Sequence, residues 1–119
     1  MIKSSNVTIM VKSMAKSIKF YTETLGLPLK VRYSSHWAEI NAKGLIIGLH
    51  PQVKTKKIIQ GNNMSIGLEV KDIEAAMKEL EKKGLSFDFI KAGGALQAYF
   101  NDPDDNVLYL FQYPSKSKK

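Results

Sequence analysis

The same order of elements can be read twice along this chain, once over residues 6–50 and again over residues 64–113. Each pass runs strand, amphipathic helix, then three strands, which marks a duplicated module. In the first pass Val7, Ile9 and Val11 alternate with Asn6, Thr8 and Met10, so the first three share one face of a strand. Ser13 stands where an N-cap is wanted, Met14, Ile18, Tyr21 and Leu25 recur at helical spacing, and Gly26 can take the left-handed conformation that ends helices. The spacing predicts a helix over 14–25. Strands are expected next at 29–33, 36–42 and 45–50, the last two joined by a Lys43-Gly44 turn.

The second pass repeats the plan. Met64, Ile66 and Leu68 mark a strand face, Asp72 caps, and Ile73, Ala76, Met77 and Leu80 line a helix that stops at Gly84. Strands are expected at 85–90, 95–101 and 107–113. Asp102-Pro103-Asp104-Asp105-Asn106 makes the turn between the last two. The fold class is therefore α+β: two tandem βαβββ modules forming curved mixed sheets around a cleft, in a single domain covering residues 1–119. Module one spans 4–52, module two 61–114, and 115–119 is a basic tail.

Composition narrows the functional classes. The chain has no cysteine, which removes disulfides, thiolate nucleophiles and cysteine-based metal sites. No apolar run approaches the ~20 residues of a membrane span, and the polar start lacks the apolar stretch of a signal peptide. A cytoplasmic protein with no membrane partner is expected. The net charge is +7. Residues 1–60 hold ten Lys/Arg against two acids (+8), and residues 61–119 hold eight against nine (−1). The lysines are scattered except at Lys54, Lys56 and Lys57 in the 51–61 linker and in the tail, and no nucleic-acid-binding motif accompanies them. No nucleic-acid partner is expected.

Alternation also says what faces away from the helices. The opposite face should carry Asn6, Thr8, Met10, Trp37, Glu39, Ile46, Gly48 and His50 in one module, and Asn63, Ser65, Gln97, Tyr99, Tyr109 and Phe111 in the other. Aromatic rings beside a few amides and hydroxyls suit a small organic ligand, although Met10, Tyr109 and Phe111 could equally fill a barrel interior. The expected ligand-binding set is Asn6, Thr8, Trp37, Glu39, His50, Asn63, Ser65, Gln97, Tyr99, Tyr109 and Phe111. Catalytic residues are not defined. Glu39 and His50 are the candidates for acid–base work, with Glu39 alternatively pairing a neighbouring lysine such as Lys30. His36, His50 and Glu39 have no spacing that fixes a shared metal geometry.

Phe20-Tyr21 followed by Leu25-Gly26, and Asp102-Pro103-Asp104 before the last strand, resemble the "FY…LG" and "DPDG" signatures of the vicinal-oxygen-chelate superfamily. This superfamily includes glyoxalase I, extradiol dioxygenases, fosfomycin-modifying enzymes and metal-free bleomycin-resistance proteins. The resemblance implies metal ligands, His or Glu, at the start of the first and fifth strands and in the fourth and eighth. The matching positions here are taken to be Asn6, Asn63, Gly48 and Tyr109. Such a set binds divalent transition metals poorly, so no metal and no cofactor is expected. The resemblance implies a metal-independent small-molecule-binding homodimer; the aromatic face adds a planar or aromatic ligand, and the basic charge a neutral or anionic one. The alternative is a glyoxalase-type lyase or isomerase using an atypical metal site or acid–base residues, so an enzymatic role stays open.

Overall fold

Strand alternation and helix caps act as the sequence suggests. The computed structural model describes residues 1–52, 64–92 and 95–113, and the chain divides into two compact units, Met1–Gly61 and Asn62–Lys119. In the first unit β1 (Val7–Val11) leads into α1 (Met14–Lys19), followed by β2 (Leu29–Ser34), β3 (Trp37–Asn41) and β4 (Ile46–Pro51). The second unit contains β5 (Ser65–Glu69), α2 (Ile73–Glu81), β6 (Asp88–Ala92), β7 (Ala95–Asn101) and β8 (Val107–Gln112). The sheets are ordered β1-β4-β3-β2 and β5-β8-β7-β6. In each, the first and last strands of the unit pair in parallel and the other pairs are antiparallel. These are two mixed four-stranded sheets of one topology, as the α+β reading requires.

The helices start where their caps are. Ser13 Oγ accepts from the Lys16 backbone N–H at 3.2 Å, and Asp72 Oδ1 accepts from that of Ala75 at 3.1 Å, which satisfies donors a helix start leaves unpaired. The N–H of Ile73 is met at 2.8 Å by Gln112 Oε1 from β8. Gly26 (φ 74°) and Gly84 (φ 100°) end the helical segments in the left-handed region. Helix α1 packs on β4, and α2 on β7 and β8. In the first unit Tyr21 from the helical segment and Ala38, Ile40, Ile47 and Leu49 from the sheet are buried; in the second Ile73 from α2 and Ile66, Ala98, Phe100, Leu108 and Leu110 from the sheet are.

Most strand ends fall within a residue of the expectation, and three features depart from it further. The helix over 14–25 is α-helical only to Lys19 and continues as a π-helical turn, Phe20–Thr24, with Leu25 N bonded to Phe20 O at 3.0 Å. Thr22 Oγ1 donates to Ile18 O at 2.7 Å, and this bond to the carbonyl four residues back accompanies the wider turn. Strand β6 begins at Asp88 rather than 85, because Leu85 N closes the helix end on Leu80 O at 3.1 Å and Phe87 turns its ring edge-on to Phe100 at 5.4 Å. Met64 lies ahead of β5 and is 62% exposed, so it is no part of that strand's buried face.

Residues 53–63, 93–94 and 114–119 lie outside the described residues, and with them Lys54, Lys56, Lys57, Asn63 and the basic tail. No helix among the described residues is long and apolar enough to cross a membrane.

Candidate functional site

Each sheet has a face turned away from its helix; Trp37, Glu39 and Gly48 share that face in the first unit, and Gln97, Tyr99, Tyr109 and Phe111 share it in the second. In the first unit the register runs Thr8↔Gly48↔Glu39 across β1, β4 and β3, with Met10 opposite His50. Trp37 and Glu39, two residues apart on β3, share a face, and the Trp37 indole N–H donates to Glu39 Oε2 at 2.9 Å. The other carboxylate oxygen of Glu39 lies 3.8 Å from Lys30 Nζ. The Trp37 ring lies over Gly48: a Cβ there would meet indole Cζ2 at 2.9 Å and Cζ3 at 3.0 Å, so only glycine fits beneath it.

His50 stands beside this group, its ring centroid 6.5 Å from that of Trp37 at an interplanar angle of 61°. Nδ1 is 2.7 Å from Pro51 O. A carbonyl only accepts, so Nδ1 carries the proton, and in the neutral ring Nε2 presents its lone pair. Asn6 and Thr8 are exposed and bonded to each other, with Thr8 Oγ1 donating to Asn6 Oδ1 at 3.1 Å. His36 is exposed, its Nδ1 3.1 Å from Ser35 Oγ. Among the described residues no three His, Cys, Asp or Glu side chains are grouped so as to hold a metal.

The second unit presents an aromatic row. Tyr99 and Tyr109 pair across β7 and β8 and stack at 5.0 Å with 28° between their planes. Phe111 follows at 5.8 Å from Tyr109, and Tyr113 at 5.3 Å from Phe111. Tyr109 lies over Gly67, directly opposite on β5, where a Cβ would meet its ring Cζ at 2.6 Å. Gln97 shares the face, its Oε1 3.5 Å from the Tyr99 hydroxyl. A cavity of about 200 Å³ opens among Gln97, Tyr109, Phe111, Gln112 and Tyr113. Ser65 is exposed at the start of β5. Tyr113 and Gly67 were missing from the expected site, although both follow from continuing the alternation two residues beyond Phe111 and Ser65.

The registers also correct one correspondence. Thr8↔Gly48 in the first unit matches Gly67↔Tyr109 in the second. Two residues before Thr8 is Asn6 and two before Gly67 is Ser65, so Ser65, not Asn63, occupies the place equivalent to Asn6. The positions the superfamily would use for a metal then read Asn6, Gly48, Ser65 and Tyr109. That set offers an amide already bonded to Thr8, a residue without a side chain and roofed by indole, a hydroxyl, and a phenol stacked on Tyr99. Divalent transition metals favour imidazole, thiolate and carboxylate, so these residues do not fit the group.

Fold and site together define a duplicated βαβββ protein whose two sheets each carry aromatic rings on the face away from the helix. The chain belongs to the Glyoxalase/Bleomycin resistance protein/Dioxygenase superfamily, whose family model matches residues 3–110. A protein of Mycolicibacterium smegmatis, described as uncharacterized, is 35% identical over 78 residues, which is 66% of this chain and 64% of that one. The match thus spans less than two thirds of that relative's length. Among solved structures, TnmS3, an antibiotic binding protein from a Streptomyces species, is 28% identical with a TM-score of 0.71, covering 97% of this chain and 99% of that one. An integron cassette protein from the mobile metagenome of the Halifax Harbour sewage outfall is 27% identical with a TM-score of 0.74, covering 93% and 99%.

Proposed function

We propose that this protein binds a small organic molecule without a metal, against the aromatic faces of its sheets. The observation that carries this reading is Trp37 laid across Gly48: where a metal-dependent relative would extend a ligand, this chain has an aromatic surface instead. The row Tyr99, Tyr109 and Phe111 supplies a second such surface, with Gln97 beside it for a directed hydrogen bond. The likeness to an antibiotic binding protein over nearly the whole chain supports the same class of function. The basic balance of the first 60 residues favours a neutral or anionic ligand. Asn6, Thr8, His50 and Ser65 belong to this reading as polar contacts, Glu39 as the group that fixes Trp37, and Asn63 as a further polar contact. A cytoplasmic location and a homodimer, the latter checked by light scattering, belong to it as well.

The alternative, a lyase or isomerase working through Glu39 and His50, draws less support, because the two Glu39 oxygens already face Trp37 and Lys30. The test is a panel of neutral and anionic aromatic compounds read by Trp37 emission, the sole tryptophan, and by thermal unfolding, with chelator present throughout. A true ligand at about one hundred times its Kd adds about 2.7 kcal/mol of stability. Emission and melting temperature unmoved across the panel would sink the proposal.

A further inference from the structure

Gly48 and Gly67 share a feature that ordinary strand packing does not ask for. Each lies under an aromatic ring from a neighbouring strand, and at each an added Cβ would fall within 3.0 Å of that ring. Both glycines are within strands, where glycine is a poor choice because it weakens the strand. Neither is among the glycines with positive φ, so backbone conformation does not demand them. What each position gains is a ring that lies down on the sheet.

Each ring is also held from the side. Trp37 is tied through its N–H to Glu39 at 2.9 Å, and Tyr109 is braced by Tyr99 stacked at 5.0 Å. Both rings remain only partly buried. A side chain fixed at two points has little rotamer freedom left to lose, so a ligand that stacks on it incurs a small ordering cost.

We propose that Gly48 and Gly67 are positioning residues. By letting Trp37 and Tyr109 lie flat, they make preformed stacking floors, and they select a ligand with a flat, unsaturated ring system over a puckered, saturated one of the same size and charge. This rests on the small-molecule-binding reading above and adds the ligand's ring chemistry and the residues that set it. Replacing either glycine lifts the ring, and the floor loses its flatness without losing its atoms.

The experiment uses the full chain and two probes, naphthalene-2-sulfonate and its saturated counterpart decahydronaphthalene-2-sulfonate. The wild type should bind the planar probe about tenfold more tightly than the puckered one. Gly67→Ala and Gly48→Ala should each cut that preference to about threefold or less. Two readouts separate positioning from general damage. In wild-type spectra the Hα protons of Gly48 and Gly67 should lie upfield of ordinary strand glycines, because protons beneath a ring face are shielded; this needs neither probe nor variant. In addition, Gly67→Ala should lower the melting temperature when Tyr109 is present and raise it in a Tyr109→Leu background, where only the strand preference for alanine remains. Unchanged probe preference in both variants, unshielded glycine protons, or a higher melting temperature for Gly67→Ala with Tyr109 present would each overturn the positioning role. A wild type that binds neither probe would instead overturn the small-molecule reading itself.

Discussion

Trp37 occupies the space above Gly48, with indole Cζ2 2.9 Å from where a Cβ at that position would stand. The indole and a longer side chain at 48 compete for one volume. Gly48→Glu or Gly48→His should therefore cost about 1–3 kcal/mol by overpacking and should not create a metal site, although each restores a ligand-type side chain. Urea unfolding and a metal-binding titration check both parts. A Gly48→Glu protein that takes up zinc at wild-type stability would show that Trp37 does not close the position.

The hydrogen bond from Trp37 to Glu39 has its own signature. Glu39→Gln keeps an acceptor and should leave Trp37 emission close to the wild type. Glu39→Leu strands the indole N–H and should cost about 1 kcal/mol, with a shift in the emission maximum of the single tryptophan. Lys30 is half exposed and 3.8 Å from Glu39, so Lys30→Gln should change stability by less than about 0.5 kcal/mol. A larger loss for Lys30→Gln than for Glu39→Leu would mean that the ion pair, not the indole contact, holds this corner.

The turn before β8 is organised by Asp102. Its Oδ1 accepts from the backbone N–H groups of Asp104 at 2.8 Å and Asn106 at 2.9 Å, and Oδ2 accepts from Asn106 Nδ2 at 2.8 Å. Asp102 is buried, so Asp102→Ala should cost about 2–3 kcal/mol. Asp105, at φ 65°, holds a left-handed conformation that glycine takes without strain. Asp105→Gly should therefore be stabilising by about 0.5 kcal/mol, the relief of strain outweighing the added chain entropy. Thermal unfolding of the two variants should move in opposite directions.

Much of the architecture was legible because local chemistry and global plan agree. Ser13, Asp72, Gly26 and Gly84 end or begin helices for reasons that act within one turn, and strand alternation placed Trp37, Glu39, Tyr99 and Tyr109 on the faces where they are found. What escaped depends on partners distant in sequence. Ser65 rather than Asn63 corresponds to Asn6 because interstrand pairing sets the register, and counting from the start of a hydrophobic run does not reveal it. The π-helical turn at Phe20–Thr24 was hidden because one wide turn leaves the apolar spacing of Ile18, Tyr21 and Leu25 intact. The ring-over-glycine contacts involve strands that meet only after folding, although Trp37 and Glu39 two apart on one strand were a signal for their hydrogen bond.

Small-molecule binding without a metal is most directly tested by the metal content of purified, tag-free protein after incubation with nickel, zinc, iron and manganese and removal of the excess. With Asn6, Gly48, Ser65 and Tyr109 at the positions concerned, far less than one ion per chain is expected for every metal, with an unchanged melting temperature. About one tightly held ion per chain, with the stabilisation such binding brings, would contradict it and would direct mutagenesis to His36, His50 and Glu39.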